Sequence, residues 1–133
     1  MTDINEKSMI PENEKKEGKE RSAELARLAI TALEDKKAED VRVIDIGDVS
    51  VLADYFIIAS GNNRVQVQAM ADEVDFALTQ KGVKPIHIEG KGDGGWMLLD
   101  FGSVMVHVFM DSTREYYSLE RLWADAEEIP VEF

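Results

Sequence analysis

No cysteine occurs in this chain. That excludes a disulfide framework, a thiolate zinc site and a cysteine nucleophile, and it fits a reducing compartment. No apolar run approaches the roughly 20 residues of a membrane-spanning helix, and the polar N-terminal residues lack the apolar core of a signal peptide. A soluble, cytoplasmic protein is the expectation. Basic residues are scarce as well: 15 Lys and Arg stand against 27 Asp and Glu, a formal net charge of −12. The imbalance is steepest after residue 84, where Lys91, Arg114 and Arg121 face ten carboxylates. A surface of that sign repels phosphate, so direct nucleic-acid binding is disfavoured and a basic protein partner suits better. The same charge also serves solubility alone.

Several catalytic signatures are missing. The glycine-rich stretch Gly90–Gly95 matches neither GxxxxGK[ST] nor a strand-to-helix GxGxxG, and a strand follows it, so it reads as a loop. There is no GxSxG nucleophile elbow. Ser60-Gly61, between a buried strand and a helix, is the kind of turn that holds triphosphate in nucleotidyltransferases. Those enzymes also need paired carboxylates for magnesium. Asp45 and Asp48 are the nearest pair, their odd spacing puts them on opposite strand faces, and no D-x-D occurs. A magnesium-dependent nucleotidyltransferase-like enzyme is therefore only the alternative reading. His87 and His107 both fall in strands, and two histidines without a third ligand make a poor metal site. His107 reads instead as a partly buried imidazole with a hydrogen-bond partner. No catalytic residue, metal ligand or cofactor is assigned.

At 133 residues the chain suits one domain with a proper core. Residues 1–21 mix both charges without apolar periodicity and read as a flexible tail. Ser22 is a candidate N-cap for a helix to about Lys37, with Leu25, Leu28, Ala29, Ala32 and Leu33 on its stripe. Val41–Ile46 and Tyr55–Ala59 read as strands, the second apolar enough to be central. An Asn at 62 or 63 can cap a second helix, whose stripe is Val67, Met70, Ala71, Val74, Ala77 and Leu78, ended by Gly82. Pro85–Ile88, Trp96–Asp100 and Val104–Phe109 follow as strands, the last two as a hairpin. Ser112 and Glu115 have capping-box spacing for a final helical segment. The predicted fold is α/β, a mixed sheet of about five strands with helices on its faces.

The residues that point to function are Trp96, Asp100, Arg114, Tyr116, Tyr117, Leu119, Glu120 and Trp123. Tyr and Trp interleaved with charge are the composition of interface hot spots, so these are the candidate partner-binding residues. Trp96, Leu98 and Asp100 alternate onto one strand face, whereas Leu119, Leu122 and Trp123 form a stripe that could dock on the sheet.

Four strings in order, Ala53–Gly61 (ADYFIIASG), Glu89–Gly102 (EGxxxxxWxLLDxG), Val106–Phe109 (VHVF) and Arg114–Ala126 (RxxYxLExLWxDA), resemble the ribosomal silencing factor, or Iojap, family. The resemblance covers roughly residues 22–126, leaving 127–133 as a short C-terminal tail. It implies a sheet of nucleotidyltransferase-like topology without a catalytic site, and a homodimeric, non-enzymatic protein. Such proteins bind the large ribosomal subunit through its universal protein fourteen, block joining of the small subunit and repress translation. Two departures stand out: Gly102-Ser103 replaces a usual Gly-Asp, and Asn62-Asn63-Arg64-Val65 replaces a more usual run of Thr or Ser and then Arg.

Overall fold

A computed structural model describes residues 12–47, 53–90, 95–111 and 126–133. The element order is α1 (Glu12–Asp35), β1 (Glu39–Asp45), β2 (Tyr55–Gly61), α2 (Arg64–Gln80), β3 (His87–Glu89), β4 (Trp96–Asp100), β5 (Val104–Met110) and β6 (Glu127–Ile129). The strands form one sheet in the order β3-β4-β5-β2-β1-β6. β2 and β5 run parallel, and the other described pairs are antiparallel. A parallel pair needs a crossover, and here α2, β3 and β4 supply it. The expected α/β fold with a mixed sheet is what the chain adopts.

Every residue of β2 is buried, because it lies inside the sheet and both of its faces are apolar. Tyr55, Ile57 and Ala59 point to the face covered by the helices. There they join Val104, Val106, Val108, Met97 and Leu99, under Ala26, Ala29, Ile30 and Leu33 of α1 and Val67, Met70, Val74 and Leu78 of α2. Both described helices thus pack on the same side of the sheet. On the opposite side Ile44, Ile46, Ala53, Phe56, Ile58 and Phe109 form a second buried cluster.

The turn between β2 and α2 is organised by Asn63. Its side chain accepts from Gln66 N at 2.8 Å, and Gln66 Oε1 accepts from Asn62 N at 2.7 Å. This reciprocal arrangement satisfies donors at the helix start. Gln66 Nε2 also donates to the Lys36 and Lys37 carbonyls, each at 3.0 Å, and so covers the end of α1. Gly61 belongs to the same junction: a Cβ there would lie 3.1 Å from Met70 Sδ and 3.2 Å from Val67 Cγ2. The Ser60-Gly61 turn therefore lets α2 press onto the sheet.

Beside small shifts such as β3 at His87–Glu89 where Pro85–Ile88 was expected, the two largest departures from the sequence reading lie at the two ends of the described chain. Ser22 does not cap α1; the helix begins at Glu12, so residues 12–21 of the expected tail are helical. Ser22 is buried within the helix, where its hydroxyl donates to Asp54 Oδ2 at 2.6 Å. The preceding residues show no apolar stripe because polar contacts hold this end of the helix. Lys19 Nζ donates to Asp45 Oδ1 at 2.6 Å and lies 4.6 Å from the Tyr55 ring centroid. Burial lowers the affinity of Lys19 for its proton, but the Asp45 bond and the surrounding negative groups override it, and its pKa is raised.

The second difference is at the other end. Residues 127–133 are not a simple tail. Glu127–Ile129 pairs with β1 as a sixth strand, Ile129 opposite Val43. Phe133 then packs on Tyr55, with centroids 5.2 Å apart, and lies under the Arg27 guanidinium at 4.7 Å, while Arg27 Nε donates to the Phe133 main-chain oxygen at 2.7 Å. A three-residue strand carrying two glutamates lacks the apolar alternation that marks strands in sequence. We expect Phe133→Ala to cost about 1–2 kcal/mol in urea unfolding and to speed hydrogen exchange at Val43 and Asp45. Unchanged exchange there would show that β6 holds without the Arg27–Phe133 clamp.

Candidate docking face

The β4–β5 hairpin puts Trp96 directly opposite Phe109, Leu98 opposite His107 and Asp100 opposite Met105. In an antiparallel pair, opposed residues share a face, so these six side chains lie together on the side away from α1 and α2. β2 adds Phe56 and Ile58 beside Met105 and His107. The result is an aromatic row. The Trp96 and Phe109 rings are near-parallel at 5.7 Å, Trp96 and His107 at 5.9 Å, and Phe56 tilts against His107 at 4.3 Å. Trp96 is half-buried at the margin of the second apolar cluster, against which Met105 and Ala126 also pack.

Within this row Trp96 Nε1 donates to His107 Nδ1 at 3.1 Å. Accepting that bond leaves the neutral imidazole's proton on Nε2, and His107 Nε2 is buried without a hydrogen-bond partner among the described residues. The expected histidine partner is thus Trp96 itself. Burial pushes the His107 pKa down from 6.5 to about 4, so the ring stays neutral near pH 7. A group whose folded pKa is depressed relative to the unfolded chain binds fewer protons when folded, so stability is lost as pH falls from about 6.5 to about 4. The loss attributable to His107 is on the order of 3 kcal/mol. Urea unfolding at stepped pH should show a shallower decline in His107→Leu than in the parent chain; equal declines would assign the acid sensitivity to other groups.

Asp100 is on the expected face, but its carboxylate is engaged within its own turn. Oδ1 accepts from Gly102 N at 2.8 Å and closes the hairpin. A short carboxylate bonding to the backbone two residues on is a common turn device. The Ser103 carbonyl accepts from Asp54 N at 2.7 Å and Tyr55 N at 3.1 Å, contacts made by the main chain, so serine serves there as well as aspartate. Of the other candidates, Arg114, Tyr116, Tyr117, Leu119, Glu120 and Trp123 lie outside the described residues, as does the Ser112/Glu115 cap. Phe56 and Phe109, whose sequence signal was simply that of strand residues, complete the row with His107, which was expected to be partly buried with a hydrogen-bond partner. Cross-strand register unites them with Trp96, and register is not written in any one segment.

The residues considered for metal chemistry are separated. His87 lies on edge strand β3, opposite Asp100, 3.1 Å from Glu89 Oε2 and two strands away from His107. Asp45 is engaged by Lys19 and by Gly47 N at 3.1 Å, and Asp48 lies outside the described residues. Among the described residues no group of three or more His, Asp or Glu side chains is placed to hold a metal ion.

Residues 19–133 match the family described as "Ribosomal silencing factor during starvation". The chain belongs to the ribosomal silencing factor family. It is 42% identical over 109 residues to the ribosomal silencing factor RsfS of Halalkalibacterium halodurans, covering 82% of this chain and 93% of the relative. It is 40% identical over 109 residues to RsfS of Bacillus subtilis, covering 82% and 92%. The chloroplastic Iojap protein of Arabidopsis thaliana is similar at 31% identity over 112 residues, 84% of this chain and 45% of that protein. A crystal structure of a Chromobacterium violaceum protein superposes with a TM-score of 0.75 at 39% identity, over 77% of this chain and 85% of that one. The matched span begins at Lys19, whose ammonium ties α1 to Asp45, and ends at Phe133, so it includes the clamp on Tyr55 as well as the Trp96 row. In this silencing-factor chain the aromatic face is consequently part of the family's folded body.

Proposed function

We propose that the chain binds the large ribosomal subunit through its universal protein fourteen, blocks joining of the small subunit and so represses translation in the cytoplasm. The observation that carries this reading is the family match across residues 19–133, with relatives named as ribosomal silencing factors at 40–42% identity. Silencing on this reading is steric. A folded body on a subunit-joining surface needs affinity and bulk, and the protein works as a binder with no enzymatic step. Trp96, the partly exposed member of the aromatic row, contributes to the docking surface, together with Asp100 at its hairpin and with Arg114, Tyr116, Tyr117, Leu119, Glu120 and Trp123 from the following segment. The acidic balance of this half would speed encounter with a basic ribosomal protein, while the buried aromatic contacts would govern dissociation. Homodimerisation in solution is part of the proposal.

The test is sedimentation of the purified protein with separated subunits, followed by their reassociation at rising magnesium. Co-sedimentation with the large subunit alone and fewer joined ribosomes are expected. No binding to either subunit at near-physiological salt would overturn the proposal.

A further inference from the structure

We propose that His107 is a positioning residue for the docking face: it holds the Trp96 indole in its binding orientation by accepting its Nε1–H. The inference rests on the reading of Trp96 as a ribosome contact, but its geometric part stands alone. Trp96 projects from the first residue of β4 and is only partly covered. Among the described residues, two neighbours across the hairpin lie near-parallel to its indole plane, Phe109 at 5.7 Å and His107 at 5.9 Å. Phe109 restrains the tilt of the ring by stacking. The hydrogen bond to His107 Nδ1 at 3.1 Å fixes which edge faces the sheet, since only one edge of an indole carries a donor.

This arrangement is costly for the fold. Donation to Nδ1 places the imidazole proton on Nε2, a buried nitrogen with no hydrogen-bond partner among the described residues. His107 is only 6% exposed, among Phe56, Phe109 and the sheet interior. An apolar side chain there would remove the orphaned Nε2–H, although it would also take away the acceptor of the Trp96 indole N–H. A residue kept solely for packing would be better as leucine or phenylalanine, whereas a residue kept to orient Trp96 must present an acceptor at the Nδ1 position. Local strain tolerated at a site points to a use for that site.

The experiment compares His107→Leu with His107→Asn, whose side-chain oxygen falls near the position of Nδ1. Three readouts are taken: urea unfolding, the indole N–H resonance of Trp96 in a 15N-labelled sample (assigned with Trp96→Phe), and co-sedimentation with large ribosomal subunits. In His107→Leu we expect undiminished stability near pH 7, an upfield shift of the Trp96 indole proton and roughly tenfold weaker subunit binding. In His107→Asn the resonance and most of the binding should return. A His107→Leu protein that is strongly destabilised would instead make the histidine a packing residue, and one that binds as tightly as the parent would remove the positioning role. If the indole shifts as expected but the parent chain itself binds no subunit, the hydrogen-bond geometry stands while both the proposed function and the docking role of Trp96 and His107 fall.

Discussion

Gly90→Ala is expected to lower stability by on the order of 4 kcal/mol, which is exceptional for the addition of one methyl group. Gly90 has φ +84°, a left-handed conformation that favours glycine. Steric overlap costs more than the conformation does. A Cβ at this position would lie 2.1 Å from the Trp96 carbonyl oxygen, 3.1 Å from the Trp96 carbonyl carbon and 3.2 Å from Met97 Cα. All three are main-chain atoms of β4, so no side-chain rotation relieves the overlap. Either β3 separates from β4 or the start of β4 moves, and Trp96 moves with it. Gly82→Ala isolates the conformational cost, because Gly82 has φ +86° and its added Cβ would meet nothing within 4 Å. That variant should lose only about 1 kcal/mol. Urea unfolding of both proteins checks the difference, and equal losses would mean that the β3–β4 junction yields freely.

Trp96→Ala should weaken binding to large ribosomal subunits by about 2 kcal/mol or more, roughly thirtyfold, the scale of an interface hot spot. Two losses combine in this variant. The indole area is removed from the proposed contact, and His107 Nδ1 loses its donor while Nε2 already lacks an acceptor among the described residues. Leaving a buried acceptor unmade costs about 1–3 kcal/mol of stability, so binding must be compared on folded protein. Trp96→Phe keeps a ring against Phe109 and removes the pyrrole ring with its N–H. Its binding should fall between those of the parent and the alanine variant in co-sedimentation titrations. If Trp96→Ala binds like the parent while remaining folded, Trp96 belongs to the core of this face and the contact lies elsewhere.

Much of the fold was legible in the chain because local chemistry and global position agree. The apolar run Tyr55–Ala59 reads as a central strand and becomes one. Of Asn62 and Asn63, either of which reads as a possible helix cap, Asn63 becomes one, and Trp96–Asp100 followed by Val104–Phe109 reads as a hairpin because a turn separates two alternating runs. Failures fell where structure is held by partners distant in sequence. Helix α1 extends back to Glu12 past Lys19 and Ser22, which bond Asp45 and Asp54 from 26 and 32 residues away. β6 exists because Ile129 finds Val43 and Phe133 finds Arg27 and Tyr55. Neither has a periodic signal, since neither owes its order to burial of its own apolar stripe.

The candidate site divides in the same way. Residue type and alternation singled out Trp96 and placed it on a face with Leu98 and Asp100. The turn role of Asp100 depends on the path of the chain two residues later, and a carboxylate alone does not distinguish a partner contact from a turn. Contiguous residues were enough to establish most of the strand and helix inventory, the acidic character and the family-bearing strings, because periodicity, charge and spacing are local properties. That Trp96, His107, Phe109 and Phe56 form one row, and that the indole N–H meets His107, emerged only in the folded chain. Those facts depend on strand register and on the parallel pairing of β2 with β5, and loop-spanning pairings of that kind are settled only when the whole sheet closes against its helices.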